Sequence, residues 1–439
     1  MQVRGSDDTL QFADKFRNYS KEDGHAYKKM NNKKFVLRRK SKLYCPNCKT
    51  KNNLNSIYCK ECGTLLEDIS KRTYDFSISN ILSNISLKDS FKVAGFTTLI
   101  LFAISIVLKL ILRVSLGNYV SYISTFDLLL LINGGNLNIL TNANSMMNYG
   151  NYYNFAFQIC SLALLVLPVI CMVVSYNIFM KQKNTDELTL VRQAIGVGVI
   201  YGIILTVLAL VSRNSLSIGG GYLSSGYSLV YGVSFLSVLV RGILLGFLSI
   251  LYIGTKKEYI QNNMYLGIFK QVVNTVFLGY FIGLSYVYEF GISGSISNIN
   301  IFVVISQLAA YIWGFANLNP VTIGNQNLFL TNIFSTSLSI DFKLCLIAFI
   351  ALSALILLIS GIKLNNKYKT HAKKTTLIFS GFYAILMGVL AVFTCVNVNG
   401  GSLLGYNVQM NMSIIFTLII SFIYSFIVTF IGFKLNNWD

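Results

Sequence analysis

The sequence predicts an all-α polytopic membrane protein, about eight transmembrane helices in four hairpins, with a small N-terminal cytoplasmic zinc ribbon. Three observations predict it. Of 439 residues, 54% are hydrophobic and only 12% charged, and the apolar residues gather in blocks of roughly the 20 that one helix needs to cross a bilayer. Lysine and arginine are concentrated in alternate connections between those blocks. Four cysteines near the N-terminus fall into two closely spaced pairs. The apolar content excludes a disordered chain, and eight cysteines in this length exclude a disulfide-knotted secreted one.

The N-terminal part is polar and basic. Of 36 Lys and Arg, 19 lie in residues 1–92 together with 10 of the 17 acids. Residues 1–40 read as a weakly structured segment, 41–68 as the ribbon, 69–92 as a linker and 93–434 as the helix bundle. The first residues lack an apolar core behind a basic start, so no secretory signal is expected, and Met30 is an alternative to Met1 as the true start.

Eight apolar segments follow, near 93–114, 155–180, 193–212, 230–254, 265–288, 343–361, 375–396 and 412–433. The connections 115–154, 214–229, 290–340 and 397–411 contain no Lys or Arg, whereas the other set contains Lys181, Lys183, Arg192, Lys256, Lys257, Lys363, Lys367, Lys369, Lys373 and Lys374. The positive-inside rule makes the second set cytoplasmic. An even number of spans then places both termini in the cytoplasm and the protein in the cytoplasmic membrane. Residues 301–318 are apolar enough to span, yet a ninth crossing would put the Lys363–Lys374 cluster outside. They are therefore expected to form an interfacial or re-entrant helix on the outer side, with Tyr311 and Trp313 at the headgroup boundary.

The outer connections are rich in Asn, Gly, Ser and Tyr, which suits either plain connectors or a surface that binds a sugar, peptide or protein. Helices six and eight end in nearly the same hexapeptide, G-I-K-L-N-N from Gly361 and G-F-K-L-N-N from Gly432. These raise either an internal duplication or a chance recurrence.

The strongest chemical motif is Cys45-x2-Cys48, ten residues, then Cys59-x2-Cys62. Thiolates two residues apart on a tight turn grip one side of a tetrahedral ion, and a second such knuckle completes four ligands, so Zn²⁺ is the expected cofactor. Gly63 suits the positive-φ turn after the second pair, while Lys49 stands where glycine would be usual in the first. A redox role would need a βαβ context that is absent. The stretch Tyr44 to Leu66 resembles the N-terminal zinc ribbon that precedes membrane helices in many bacterial multi-pass proteins. The resemblance implies a metal-binding module that contacts a cytoplasmic protein partner, with Cys45, Cys48, Cys59 and Cys62 as ligands. It implies nothing about the membrane part.

Within the bilayer, Arg241 is the foremost polar candidate, with Asn274 and Thr275 of the following helix as expected partners at similar depth. Its alternative role is to tie helices together. No span has an acid near its centre, which argues against a pump built on a carboxylate relay. Ahead of the ribbon, Lys33, Lys34, Arg38, Arg39, Lys40 and Lys42 form a basic run suited to anionic lipid at the inner leaflet, with a solvated linker or, less well, nucleic acid as alternatives. Only His25 and His371 are present, and there is no P-loop, GxSxG, HExxH or carboxylate pair, so no enzyme activity is expected. The expected role is regulatory, scaffolding or envelope-associated, with the ribbon recruiting a partner. The alternative is a permease or exporter with its pathway between hairpins.

Overall fold

The structure is a computed structural model. It describes residues 43–45, 48–52, 59, 61, 85–116, 123–144, 153–159, 162–180, 187–218, 226–255, 264–291, 300–324, 326–331, 340–368, 372–399 and 407–435. In the N-terminal module, β1 (Leu43–Tyr44) pairs antiparallel with β2 (Lys51–Asn52). The turn between them carries the first cysteine pair. Lys49 adopts a left-handed φ of 57°, the conformation in which a glycine would be unstrained.

The remainder follows one order of elements twice. In the first half α1 (Leu87–Leu116) leads to a short α2 (Thr125–Ile132), the hairpin β3 (Leu137–Asn144) and β4 (Tyr153–Ile159), then α3 (Val166–Met180) and α4 (Glu187–Val211). The hairpin β5 (Asn214–Ile218) and β6 (Gly226–Val233) and helix α5 (Phe235–Gly254) complete it. The second half repeats this as α6 (Met264–Gly291), α7 (Asn300–Ala316), β7 (Val321–Ile323), β8 (Gln326–Leu328), α8 (Ile340–Lys367), α9 (Ala372–Phe393), β9 (Val396–Asn399), β10 (Asn407–Met412) and α10 (Ile414–Leu435).

Among the described residues, eight helices are long and apolar enough to cross a membrane. Residues such as Ile106, Ile203, Phe281, Ile385 and Ile423 leave large apolar side chains exposed along them, the surface that lipid covers and water would not tolerate in so large a patch. The chain is an integral, multi-pass membrane protein.

The chain is mostly helical, as expected, but the connections lacking Lys and Arg add strand hairpins that the all-α expectation did not include. The strands β3 to β10 join in one antiparallel sheet of order β5-β6-β3-β4-β9-β10-β7-β8. Each half contributes four strands in the same internal order, third, fourth, first, second. The halves meet where β4 pairs with β9, Ala156 opposite Asn399 through Ile159 opposite Val396. The expected spans 155–180 and 230–254 began too early because Tyr153–Ile159 and Gly226–Val233 are strands. Short apolar runs have the same hydropathy in either conformation.

Packing within the halves depends on small residues. On α4 and α5, Gly198 faces Gly246 and Gly202 faces Gly242: a Cβ at Gly246 would lie 2.7 Å from the Cα of Gly198, and one at Gly242 2.9 Å from that of Gly202. This is the small-xxx-small approach that lets helix backbones touch in lipid. The two similar hexapeptides have a different explanation from duplication. Their glycines face one another where α8 crosses α10, a Cβ at Gly361 meeting the Thr429 carbonyl and one at Gly432 the Leu358 carbonyl.

Candidate functional site

Three places collect the polar chemistry: the cysteine turn, a buried polar layer within the bundle, and the lysine-rich helix ends. In the first, the sulfur atoms of Cys45, Cys48 and Cys59 lie within 4.8 Å of one another. Thiolates about 2.3 Å from a tetrahedral zinc stand roughly 3.8 Å apart, so the three fit around one ion. Cys45 and Cys59 are buried at 1% and 4% exposure. The turn is set by the backbone, Lys49 N donating to Cys45 O at 2.9 Å and Cys45 N to Thr50 O at 3.0 Å. Three cysteines can therefore hold a metal. Cys62 and the basic run of Lys33, Lys34, Arg38, Arg39, Lys40 and Lys42 lie outside the described residues.

The polar layer arises because α2 and α7 stop inside the bundle. Asn133 caps α2, and its side chain donates back to Leu129 O at 2.8 Å. Asn317 caps α7 in the same way on Trp313 O, also at 2.8 Å. The chain then turns through a left-handed residue, Gly134 with φ 79° in one half and Leu318 with φ 63° in the other. The next residue returns a hydrogen bond to the helix, Gly135 N to Leu130 O at 2.8 Å and Asn319 N to Gly314 O at 3.2 Å. Both ends are Schellman caps.

Each cap asparagine accepts from a buried tyrosine. Tyr201 of α4 donates to Asn133 Oδ1 at 2.5 Å, and Tyr383 of α9 to Asn317 Oδ1 at 2.6 Å. The same correspondence links the outer helix pairs, Thr97 to Ser175 at 2.9 Å and Thr275 with Ser360 at 2.9 Å. In all four of these Thr and Ser residues, the hydroxyl also reaches the carbonyl four residues back. Matching hydrogen bonds at matching elements make the halves a tandem structural repeat.

Arg241 belongs to this layer. It is the seventh residue of α5, about 9 Å along the helix from its sheet end, so it is nearer that end than its place in the apolar run suggested. It is 3% exposed. Its guanidinium donates to Gly134 O, to Asn136 Oδ1 at 2.5 Å and, across to the second repeat, to Val392 O at 2.8 Å. The Phe393 ring lies 5.7 Å from its central carbon. The expected partners Asn274 and Thr275 are elsewhere. Asn274 is exposed and accepts from Tyr252 at 3.5 Å, while Thr275 is the partner of Ser360. Arg241 instead satisfies oxygens that the break in α2 leaves inside the bundle, and it favours the negative end of that helix. Burial pushes the thiol of nearby Cys395 up, and the charge of Arg241 draws it partly back.

Tyr311 and Trp313, expected at the headgroup boundary, are buried in the protein. Trp313 is fully buried in space opened by Gly279, where a Cβ would collide with its ring. The single proton of the Tyr311 hydroxyl is shared between Thr394 O and, at 2.6 Å, Met410 O, tying α7 to the strands. Asp127 completes the N-cap of α2 with Ser124, whose hydroxyl lies 2.6 Å from Asp127 Oδ2.

No protein-family model, no curated protein and no solved structure matches this chain.

Proposed function

We propose that the protein is a scaffold of the cytoplasmic membrane, with both termini and a zinc ribbon in the cytoplasm and the eight-stranded sheet at the outer surface. Zn²⁺ is the metal, held by Cys45, Cys48 and Cys59 with Cys62 as the fourth ligand. The lysine-rich connections supply the orientation by the positive-inside rule. The ribbon recruits a cytoplasmic protein while the sheet offers a platform outside. No catalytic role is assigned.

The observation that carries this reading is the continuous β4–β9 ladder. Together with the Arg241 bond to Val392, it joins the repeats at the sheet end. At the opposite end Leu251 and Ile253 pack in one cluster with Leu266 and Phe269. An alternating-access carrier needs one repeat to rock on the other, and links at both ends oppose that motion. A permease remains the second reading because helices broken inside a repeated bundle are also what transporters use to form a substrate site.

Crosslinking mass spectrometry in native membranes, wild type against Cys45→Ser/Cys48→Ser, separates the two. The scaffold reading expects a cytoplasmic partner present with wild type and lost in an inserted double variant. An identical set of crosslinked proteins in both samples would sink it.

A further inference from the structure

A cleft of about 160 Å³ opens among the lysine-rich ends of α5, α6 and α8. Its lining brings Lys270 of α6 together with Lys363 and Lys367 of α8, adds Gln271, Asn274 and Tyr368, and among the described residues includes no carboxylate. Helical spacing builds it. Lys363 and Lys367 stand four apart in the last turns of α8, and Lys270 and Asn274 four apart near the start of α6, so each pair shares a face.

Gly267 makes the space. A Cβ there would run into the Tyr368 hydroxyl and lie 3.2 Å from Lys367 Nζ, so the glycine lets ammonium and phenol settle onto the backbone of α6. The ammonium of Lys367 also lies 5.4 Å from the Tyr368 ring centre. The nearby N-terminal end of α6 adds positive potential. Three cations around one concavity attract an anionic phosphate, and their mutual repulsion falls when one binds.

The neighbouring surface points to the source of that anion. From Asn274 the exposed face of α6 continues through Phe277, Leu278 and Phe281, and from Lys363 that of α8 continues through Ile359 and Leu355. A molecule with a phosphate in the cleft and acyl chains along these side chains matches both parts. We propose that the Lys270, Lys363 and Lys367 cleft binds the phosphate group of an anionic phospholipid from the adjoining leaflet. Basic pockets between helices on one side of a membrane hold lipid headgroups by this combination. The inference is independent of the scaffold reading.

The test is native mass spectrometry of the full chain released from mixed micelles of phosphatidylcholine and phosphatidylglycerol. Wild type should retain phosphatidylglycerol selectively. Each of Lys270→Gln, Lys363→Gln and Lys367→Gln should weaken retention by roughly fivefold, and the corresponding Arg variants should preserve it. Lys373 and Lys374, exposed in the first turn of α9 and outside the cleft, provide the control. Their double Gln variant should retain lipid as wild type does. Equal losses in cleft and control variants would overturn the site in favour of general surface attraction. Displacement of the lipid by millimolar inorganic phosphate, with phosphate binding equally well in pure phosphatidylcholine, would overturn the lipid as its source. Should a Gln variant fail to fold, that competition on wild type and the Arg variants still decide the outcome.

Discussion

The two repeats solve one problem with different residues. Each ends a short helix inside the bundle, caps it with asparagine, and covers the asparagine with a tyrosine hydroxyl. In the first repeat the turn beyond the cap uses two glycines and is held by the charge of Arg241. In the second the same turn uses Leu318 and Asn319, and the contact from the last helix comes from the Ser421 hydroxyl, 3.1 Å from Asn319 Oδ1. A neutral hydroxyl is enough to close a cap within one repeat. The guanidinium is long enough to reach Val392 as well, so the first repeat carries the bond that joins it to the second. The common architecture therefore belongs to the fold, and the asymmetry belongs to the junction.

That difference should appear in stability. Arg241→Gln removes three charge-assisted bonds from buried carbonyl-type oxygens and should cost about 3 kcal/mol or more. Ser421→Ala, its counterpart, should cost about 1 kcal/mol. Thermal unfolding in one detergent measures both, and equal losses would break the proposed asymmetry. Next in size is the helix contact. Gly246→Ala forces a methyl against the Gly198 backbone and should cost about 2 kcal/mol. Gly388→Ala meets only the movable end of Leu418, 2.7 Å from the added Cβ, and should cost clearly less.

The matched tyrosines sharpen the comparison from the other side. Tyr201→Phe and Tyr383→Phe leave equivalent buried asparagines short of a donor, so the two should destabilise alike, by about 1–2 kcal/mol each. A large disparity would argue that the caps are not equivalent. The smallest effects should come from Thr97→Val and Thr275→Val. Hydrogen bonds between membrane helices average about 0.6 kcal/mol, and each threonine also bonds within its own helix.

The eight spans were legible because length and hydropathy are local properties. The cysteine turn was legible because its cysteines are close in sequence, down to the unusual Lys49, which takes a left-handed φ where a glycine would be usual. The sheet was not. Its strands are short, with Asn, Ser and Gly among the apolar residues, and the β4–β9 pairing joins residues more than two hundred apart. The repeat was hidden for a related reason. What the halves share is where a hydroxyl or amide sits on an element, while the one sequence similarity in view, at Gly361 and Gly432, marks two helices of the same repeat that cross closely. Arg241 was found from its charge in an apolar run, but its partners come from a helix break that hydropathy does not reveal.

Amide hydrogen exchange of the membrane-embedded protein tests the central claim, that the repeats are fastened together at the sheet. The scaffold account predicts that peptides covering β4 and β9 are protected as strongly as those covering β3 and β6, whose pairing lies within the first repeat, and that Arg241→Gln lowers protection at β4 and β9 first. Markedly faster exchange at β4 and β9 in the wild type, with β3 and β6 still protected, would mean that the repeats part there, and would contradict the account in favour of a moving carrier.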